Sequence, residues 1–303
     1  MSDDSSKPHL RGAMTAIVTP FDADGALDRS ALERIVRWQV SRGIHGLVPC
    51  GTTGEGATLT DAEHRQVIET VVRTVEHRVP VVAGCGSNDT RKTVAAAQRA
   101  ADAGADALLV VTPYYNKPNR SGMVRHYRSV TESVALPVVV YNVPGRTGQN
   151  LGAELTLELA EIPGIVGVKE ASGDLQQIAD ILATRPPGFA VLSGDDALAL
   201  PTMALGADGV ISVVSNEAPA EMAGMIDAAS EGDYPRAREI HYRLRALMQA
   251  NFVESNPVPV KTAMALLGFC GDGLRPPLGP PADSTRNLLR ALLEESGLRG
   301  EAG

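Results

Sequence analysis

Lys169 follows Ile165–Val168, a β-branched apolar run of the kind that forms a buried strand, and such strands seldom end on a cation. An amine in that position has two uses. It can pair with a carboxylate, the adjacent Glu170 or another acid, or it can attack a carbonyl if burial lowers its pKa. A fall from ~10.4 to about 7.5 raises the neutral fraction at pH 7 from roughly 0.04% to roughly a quarter. Position alone leaves both uses open.

Other apolar runs end on residues that could serve the same chemistry. Tyr141 closes PVVVYNVP and Arg146 follows in a Pro/Gly turn, so a phenol able to relay protons and a guanidinium able to grip a carboxylate stand near each other. GTTG (Gly51–Gly54) sets two hydroxyls between glycines, where backbone N–H groups can converge on an anion, although a plain turn has the same composition. A further run opens into SGDD (Ser193–Asp196). Tyr114 and Tyr115 are adjacent aromatics in a loop rich in Pro and Asn, which predicts cover from a second subunit.

These groups need a frame that gathers strand ends at one mouth. Eight β-branched runs alternate with amphipathic stretches: Ala13–Pro20, Gly46–Cys50, Pro80–Gly84, Asp106–Pro113, Pro137–Pro144, Ile165–Glu170, Phe189–Gly194 and Gly209–Val213. The alternation predicts βα units and a parallel sheet. Eight of them fit a (β/α)8 TIM barrel, whose chemistry sits at the carboxyl ends of the strands, and an open doubly wound sheet is the competing fold. Ser30 with Glu33 and Thr60 with Glu63 have capping-box spacing and predict two helix starts. Beyond about residue 230 the strand signal stops. The expected organisation is a catalytic barrel over 10–230 and a C-terminal helical appendage over 231–298, packed on the barrel or on another subunit.

With 303 residues and a formal charge of −8, the chain carries no basic cluster for nucleic acid or an anionic membrane surface. No apolar run reaches the length of a membrane span, and the polar, acidic start MSDDSSKPHLRG does not read as a secretory signal, so a cytoplasmic location is expected. Cys50, Cys85 and Cys270 are too widely spaced for a disulfide framework or a zinc site, and the six histidines show no paired ligand spacing. Neither the P-loop pattern nor G-x-G-x-x-G opening a helix occurs.

Taken in order, GTTGE, TPYYN, YNVPGRTG, GVKEASGD, LSGDD and FVESNPVPVK closely resemble the dihydrodipicolinate synthase family, within the larger group of pyruvate-dependent aldolases that includes N-acetylneuraminate lyase. The resemblance spans roughly Gly12 to Leu298, and the arginine of YNVPGRTG marks the synthase branch. It implies that Lys169 forms a Schiff base with pyruvate, whose enamine attacks L-aspartate 4-semialdehyde. By the same likeness Thr52 bridges Tyr141 to Tyr115 of the partner subunit as a proton relay. Thr53 holds the pyruvate carboxylate, Ile211 lines the pocket through its backbone beside Gly194, and Arg146 receives the semialdehyde carboxylate. No metal or organic cofactor is implied, and a homotetramer built as a dimer of dimers is expected. The positions matching the family's L-lysine inhibitor site are Gly56, Ala57, Asp61, His64, Asn88, Lys92 and Tyr114, with Lys92 standing where sensitive members have a glutamate. Within the group, an aldolase or dehydratase acting on a 2-keto-3-deoxy sugar acid or sialic acid is the alternative, and a keto-acid sensor is the non-enzyme one; Arg146 argues against the first and the intact Lys169, Tyr141 and Thr52 set against the second.

Overall fold

A computed structural model describes residues 10–298 and 300. Eight parallel strands carry the frame: β1 (Gly12–Thr15), β2 (Gly46–Leu47), β3 (Val82–Gly84), β4 (Ala107–Val111), β5 (Val138–Asn142), β6 (Ile165–Glu170), β7 (Ala190–Ser193) and β8 (Gly209–Ser212). Their order in the sheet is β2-β1-β8-β7-β6-β5-β4-β3. The two ends of that order meet. A parallel bridge joins Leu47 to Val81, and Leu47 N donates to Pro80 O at 3.0 Å while Gly84 N donates to Pro49 O at 2.9 Å. The sheet is therefore a ring, and the open doubly wound alternative is excluded.

All eight expected runs contain a strand, but several are shorter in the ladder than in the sequence. The second is left shortest, with two residues, because Pro49 has no N–H to offer and Cys50 takes a left-handed φ of 59° that turns the chain away into the GTTG segment.

Helices α1 (Arg29–Ser41), α2 (Asp61–Val75), α3 (Thr90–Asp102), α4 (Arg120–Ser133), α5 (Pro144–Thr147), α6 (Gly152–Ala160), α7 (Leu175–Thr184), α8 (Asp196–Ala204) and α9 (Pro219–Ser230) accompany the strands. The capping box at Thr60 and Glu63 is present in both directions. The one expected at Ser30 is not. Asp28 caps α1, taking the Ala31 N–H at 2.9 Å and the Ser30 hydroxyl at 2.7 Å. An aspartate two residues upstream is an equally good cap and adds a favourable charge at the helix N-terminus, while Glu33 turns to Arg37 and Arg73 instead.

Three more helices, α10 (Tyr234–Ala250), α11 (Val258–Leu266) and α12 (Asp283–Glu295), complete the described chain. Leu244, Leu247, Met264 and Leu289 belong to the same buried cluster as the outward-facing strand residues and the barrel helices. A second, smaller cluster fills the barrel itself and includes Met14, Val48, Val82, Leu109, Val139, Tyr141, Leu192 and Ile211. The two clusters divide most strands by period two, whereas in β6 Ile165 and Val168 both join the outer one because the register with β5 steps by one residue between them. In β5, Val138 and Val140 face the helices while Val139 and Tyr141 face the interior. No helix among the described residues is long and apolar enough to cross a membrane.

Candidate active site

Strand parity decides where Lys169 points. Val168 packs outward among the helices, so Lys169, one residue on, points into the barrel and Glu170 points out again. Glu170 is fully engaged on its own side. Its oxygens accept from Asn142 Nδ2 at 3.1 and 2.9 Å, Gln177 Nε2 at 3.1 Å and Ser172 N at 2.7 Å. A Lys169–Glu170 ion pair is thus absent, and the amine is left for other work.

The β5–β6 register sets Tyr141 opposite Lys169, and Lys169 Nζ lies 4.4 Å from the centroid of the phenol ring. Lys169 is only 5% exposed. Burial lowers its pKa to about 8, with Arg146 adding to the fall and Asp196 opposing it. At pH 7 about a tenth of such an amine is neutral. Burial pushes the Tyr141 phenol the other way, above its ordinary value, while the Arg146 guanidinium and a hydrogen bond with Thr52 restrain the rise. The pair therefore holds a weakened acid beside a weakened base, so neither is committed to its charged form.

Space for the lysine is made by Gly194. A Cβ there would stand 3.1 Å from Lys169 Cε and 2.7 Å from the Ala171 Cβ. A cavity of about 150 Å³ opens at this level, walled by Thr52, Thr53, Tyr141, Arg146, Lys169 and Gly194, with Asp195, Val213 and Asn256 beside them. Of the eight residues singled out in the sequence, six thus meet at one cavity. Ile211 does not line it: the residue is fully buried in the inner barrel layer, and the wall at the end of β8 is formed by Val213 two residues on. Tyr115 is 88% exposed, in a left-handed conformation with φ 72°, and outside the cavity of its own chain.

Asn256 was not singled out by its sequence, yet it joins the two anion-binding candidates. Its Nδ2 donates to Thr53 Oγ1 at 3.0 Å, which leaves the threonine hydroxyl hydrogen free for a ligand. Its carbonyl oxygen accepts from Arg146 Nη2 at 3.0 Å. The Asn-Pro step in FVESNPVPVK was the available signal, read only as part of a motif. The loop bearing Thr52 and Thr53 is tied down by Glu55, whose Oε1 accepts from Lys261 Nζ at 2.5 Å and whose Oε2 accepts from Arg275 N at 3.0 Å. Both members of the Glu55–Lys261 pair are almost completely buried. Gly56 lets the chain pass: a Cβ there would fall 2.1 Å from Cys50 O.

Comparison with known proteins agrees over nearly the whole length. Residues 9–296 match the model of the dihydrodipicolinate synthetase family. The 4-hydroxy-tetrahydrodipicolinate synthase of Methanothrix thermoacetophila is 50% identical over 294 residues, covering 96% of this chain and 99% of the relative. The crystal structure of the chloride-inhibited dihydrodipicolinate synthase of Acinetobacter baumannii complexed with pyruvate is 43% identical, with a TM-score of 0.93 over 95% of this chain and 99% of that one. A dihydrodipicolinate synthase of Cyanidioschyzon merolae with lysine bound is 39% identical, with a TM-score of 0.93 over 96% and 100%. A ring of eight parallel strands, a buried lysine beside a tyrosine, and this likeness along the full chain place the protein in the dihydrodipicolinate synthetase family.

Proposed function

We propose that the protein is a lyase that condenses pyruvate with L-aspartate 4-semialdehyde to give 4-hydroxy-tetrahydrodipicolinate, in lysine and diaminopimelate biosynthesis. The observation that carries this reading is the buried, partly neutral amine of Lys169 beside the Tyr141 ring. Lys169 adds to the pyruvate ketone and loses water to form a Schiff base. The derived enamine then attacks the aldehyde of the second substrate, and the substrate's own amine closes the ring. Thr53 holds the pyruvate carboxylate with the hydroxyl hydrogen that Asn256 leaves free. Thr52 and Tyr141 pass protons, and Tyr115 of the partner subunit completes the relay. The test is borohydride reduction in the presence of pyruvate, which should fix a pyruvyl group on the peptide containing Lys169, followed by assay with L-aspartate 4-semialdehyde. A label elsewhere, or indifference to the semialdehyde, overturns the assignment.

Arg146 is assigned to the carboxylate of the semialdehyde. Arg146→Ala should form the pyruvate adduct normally while losing about 1.5–3 kcal/mol of transition-state binding in the full reaction, the scale of a charged hydrogen bond. Equal loss in both assays would remove the division of labour.

The exposed ring of Tyr115 supports a homotetramer in which each site borrows a residue across a dimer contact. Mixing Tyr115→Phe with Lys169→Ala subunits should restore activity that neither homo-oligomer has. Absence of complementation, with mixed oligomers verified by mass, rules the borrowed residue out.

A larger cavity of about 720 Å³ adjoins the site and includes Gly56, Ala57, Asp61, His64, Asn88, Lys92 and Tyr114 in its wall. Lys92 would repel the cation of a bound L-lysine. Asp61 offers little compensation, because its carboxylate already takes Arg99 Nη2 at 2.7 Å. Millimolar L-lysine should therefore leave the rate nearly unchanged, an affinity loss of about a hundredfold or more relative to a site with an acid at that position. Half-inhibition below a millimolar at saturating pyruvate would show that Lys92 does not face the ligand.

A further inference from the structure

One large apolar side chain of the cavity wall takes no part in the covalent chemistry. Phe252, two residues beyond the end of α10, lines the cavity with Lys169, Arg146 and Asn256, yet it is 48% exposed. Thr53, Tyr141 and Lys169 in the same wall are all buried, whereas Arg146 is exposed. The cavity therefore has a depth. The amine and the hydroxyl assigned to the pyruvate carboxylate lie at its floor, and Phe252 and Arg146 stand at its rim.

The ring is held there from both sides. Asn251, fully buried, donates through Nδ2 to Glu217 Oε2 at 2.9 Å, and Glu217 follows the 3-10 turn Val214–Asn216 that leaves β8. The backbone N–H of Phe252 donates to Gln249 O at 3.0 Å, so the chain turns tightly as it leaves α10. Four residues on, Asn256 donates to Thr53 Oγ1 and accepts from Arg146 Nη2, each at 3.0 Å. Residues 251–256 thus bridge the rim from the end of β8 to the GTTG loop and α5, pinned at each end by a buried asparagine. An aromatic ring held half in water forgoes part of its burial free energy, which an apolar group seated on it recovers.

The order of the wall residues matches the order of groups along the second substrate. Pyruvate, joined to Lys169 with its carboxylate at Thr53, occupies the floor. The aldehyde comes from the rim, with its own carboxylate on Arg146. In L-aspartate 4-semialdehyde a single methylene links the aldehyde to the carbon that bears the charged groups, and Phe252, with Val143 and Val213 in the same wall, offers it apolar surface. A polyhydroxylated aldehyde of equal length carries a hydroxyl at that carbon. Against the ring it would lose its water and gain no partner. We propose that Phe252 is a specificity-determining residue of the aldehyde half of the site: held across the rim by Asn251 and Asn256, its ring takes the methylene of a short acidic aldehyde and turns away chains hydroxylated at that carbon.

This inference rests on the Schiff-base reading, and the experiment separates the two failures. Borohydride trapping with pyruvate, and kcat/KM for L-aspartate 4-semialdehyde and for D-erythrose, are measured in the wild type, Phe252→Leu and Phe252→Ser. All three proteins should trap pyruvate on Lys169 at the same rate, because the floor is untouched. Phe252→Ser should lose about tenfold or more in kcat/KM for the semialdehyde while turnover of the tetrose holds or rises. Phe252→Leu keeps apolar surface and should retain most of the preference. An unmoved preference in Phe252→Ser, or equal loss of trapping and turnover, the mark of a merely structural role, overturns the inference and leaves the Schiff base intact. Failure of the wild type to trap pyruvate on Lys169, or a wild-type preference for the tetrose, overturns the reading beneath it. Phe252→Trp gives a reading that needs neither the serine variant nor tetrose turnover. Trp38 is the chain's one tryptophan and is buried, so the new indole can be followed against it. Its fluorescence should stay constant with pyruvate alone and change when succinic semialdehyde, which lacks the ring-closing amine, joins the pyruvate-loaded enzyme. A constant spectrum at concentrations that slow the full reaction also overturns the inference.

Discussion

Lys169→Arg is expected to abolish covalent capture of pyruvate and to lower kcat/KM by roughly a thousandfold or more. Arginine fills much of the same space and keeps a positive charge, so a lysine serving only as a cation would tolerate the change in part. A guanidinium cannot be deprotonated at any pH where the protein folds, and it has no free pair for a carbonyl. The same logic fixes the pH dependence of the wild type. The folded amine titrates at about 8, below its ordinary value, so the reactive neutral form is nearly complete above that pH and falls about tenfold per unit below it. Trapping in Lys169→Arg at more than a tenth of the wild-type rate, or a wild-type profile flat from pH 6 to 9, would remove the lysine from the chemistry.

The second large effect is expected far from the covalent step. Lys261 on α11 and Glu55 beside the GTTG loop form an ion pair with essentially no exposure on either side, and Lys261 Nζ also lies 4.0 Å from the centroid of the Phe21 ring. Removing one partner of such a pair leaves an uncompensated charge in the interior. Lys261→Met should therefore cost about 3–5 kcal/mol of stability, read as a fall in Tm on the order of 10 °C. Glu55→Gln in the same chain should recover most of the loss, because the amide oxygen still accepts the Arg275 N–H and no charge is stranded. The effect should also reach the site. Thr52 and Thr53 precede Glu55 by three and two residues, so a loosened loop should raise KM for pyruvate more than it lowers kcat. A single mutant within 1 kcal/mol of the wild type would show that the interior solvates Glu55 by other means.

The fold was legible because its signals are local and repeated. Each β-branched run marks a strand whatever its neighbours do, and Ile165–Glu170 coincides with β6 residue for residue. The strands that shrank did so for reasons of closure. Whether Gly46–Cys50 extends to five residues or two depends on the bridge from Leu47 to Val81 and on the turn at Cys50, which no local pattern encodes. The cap of α1 was misplaced because Asp28 and Ser30 are both competent and only the chain's entry angle chooses between them.

At the site, Lys169, Tyr141, Arg146 and the two threonines stand out because each is an odd residue type at the end of an apolar run. Asn256 and Lys261 do not, and Glu55 shows only as the residue after GTTG. Asn256 and Lys261 act through residues some two hundred positions away, and a buried acid looks in sequence like a helix cap or a solvated turn. Burial is what distinguishes them, and burial is a property of the packed chain.

The alternation along β6 also bears on how such a site can change during evolution. Lys169 faces the barrel interior and Glu170 faces the Asn142–Gln177 network because they are successive residues of one strand. The register with β5 already steps by one residue near the start of β6, from Val138–Ile165 to Val139–Gly167, so a residue lost before Gly167 can be absorbed there, whereas one gained between Gly167 and Lys169 without such a step would exchange their sides, turning the carboxylate inward and the amine toward the helices. Point substitutions at Val166 or Val168 alter packing by degrees, whereas a register change carried through to Lys169 exchanges the amine and the carboxylate at once. The side chains of this strand can thus change with less consequence than the register between Gly167 and Lys169.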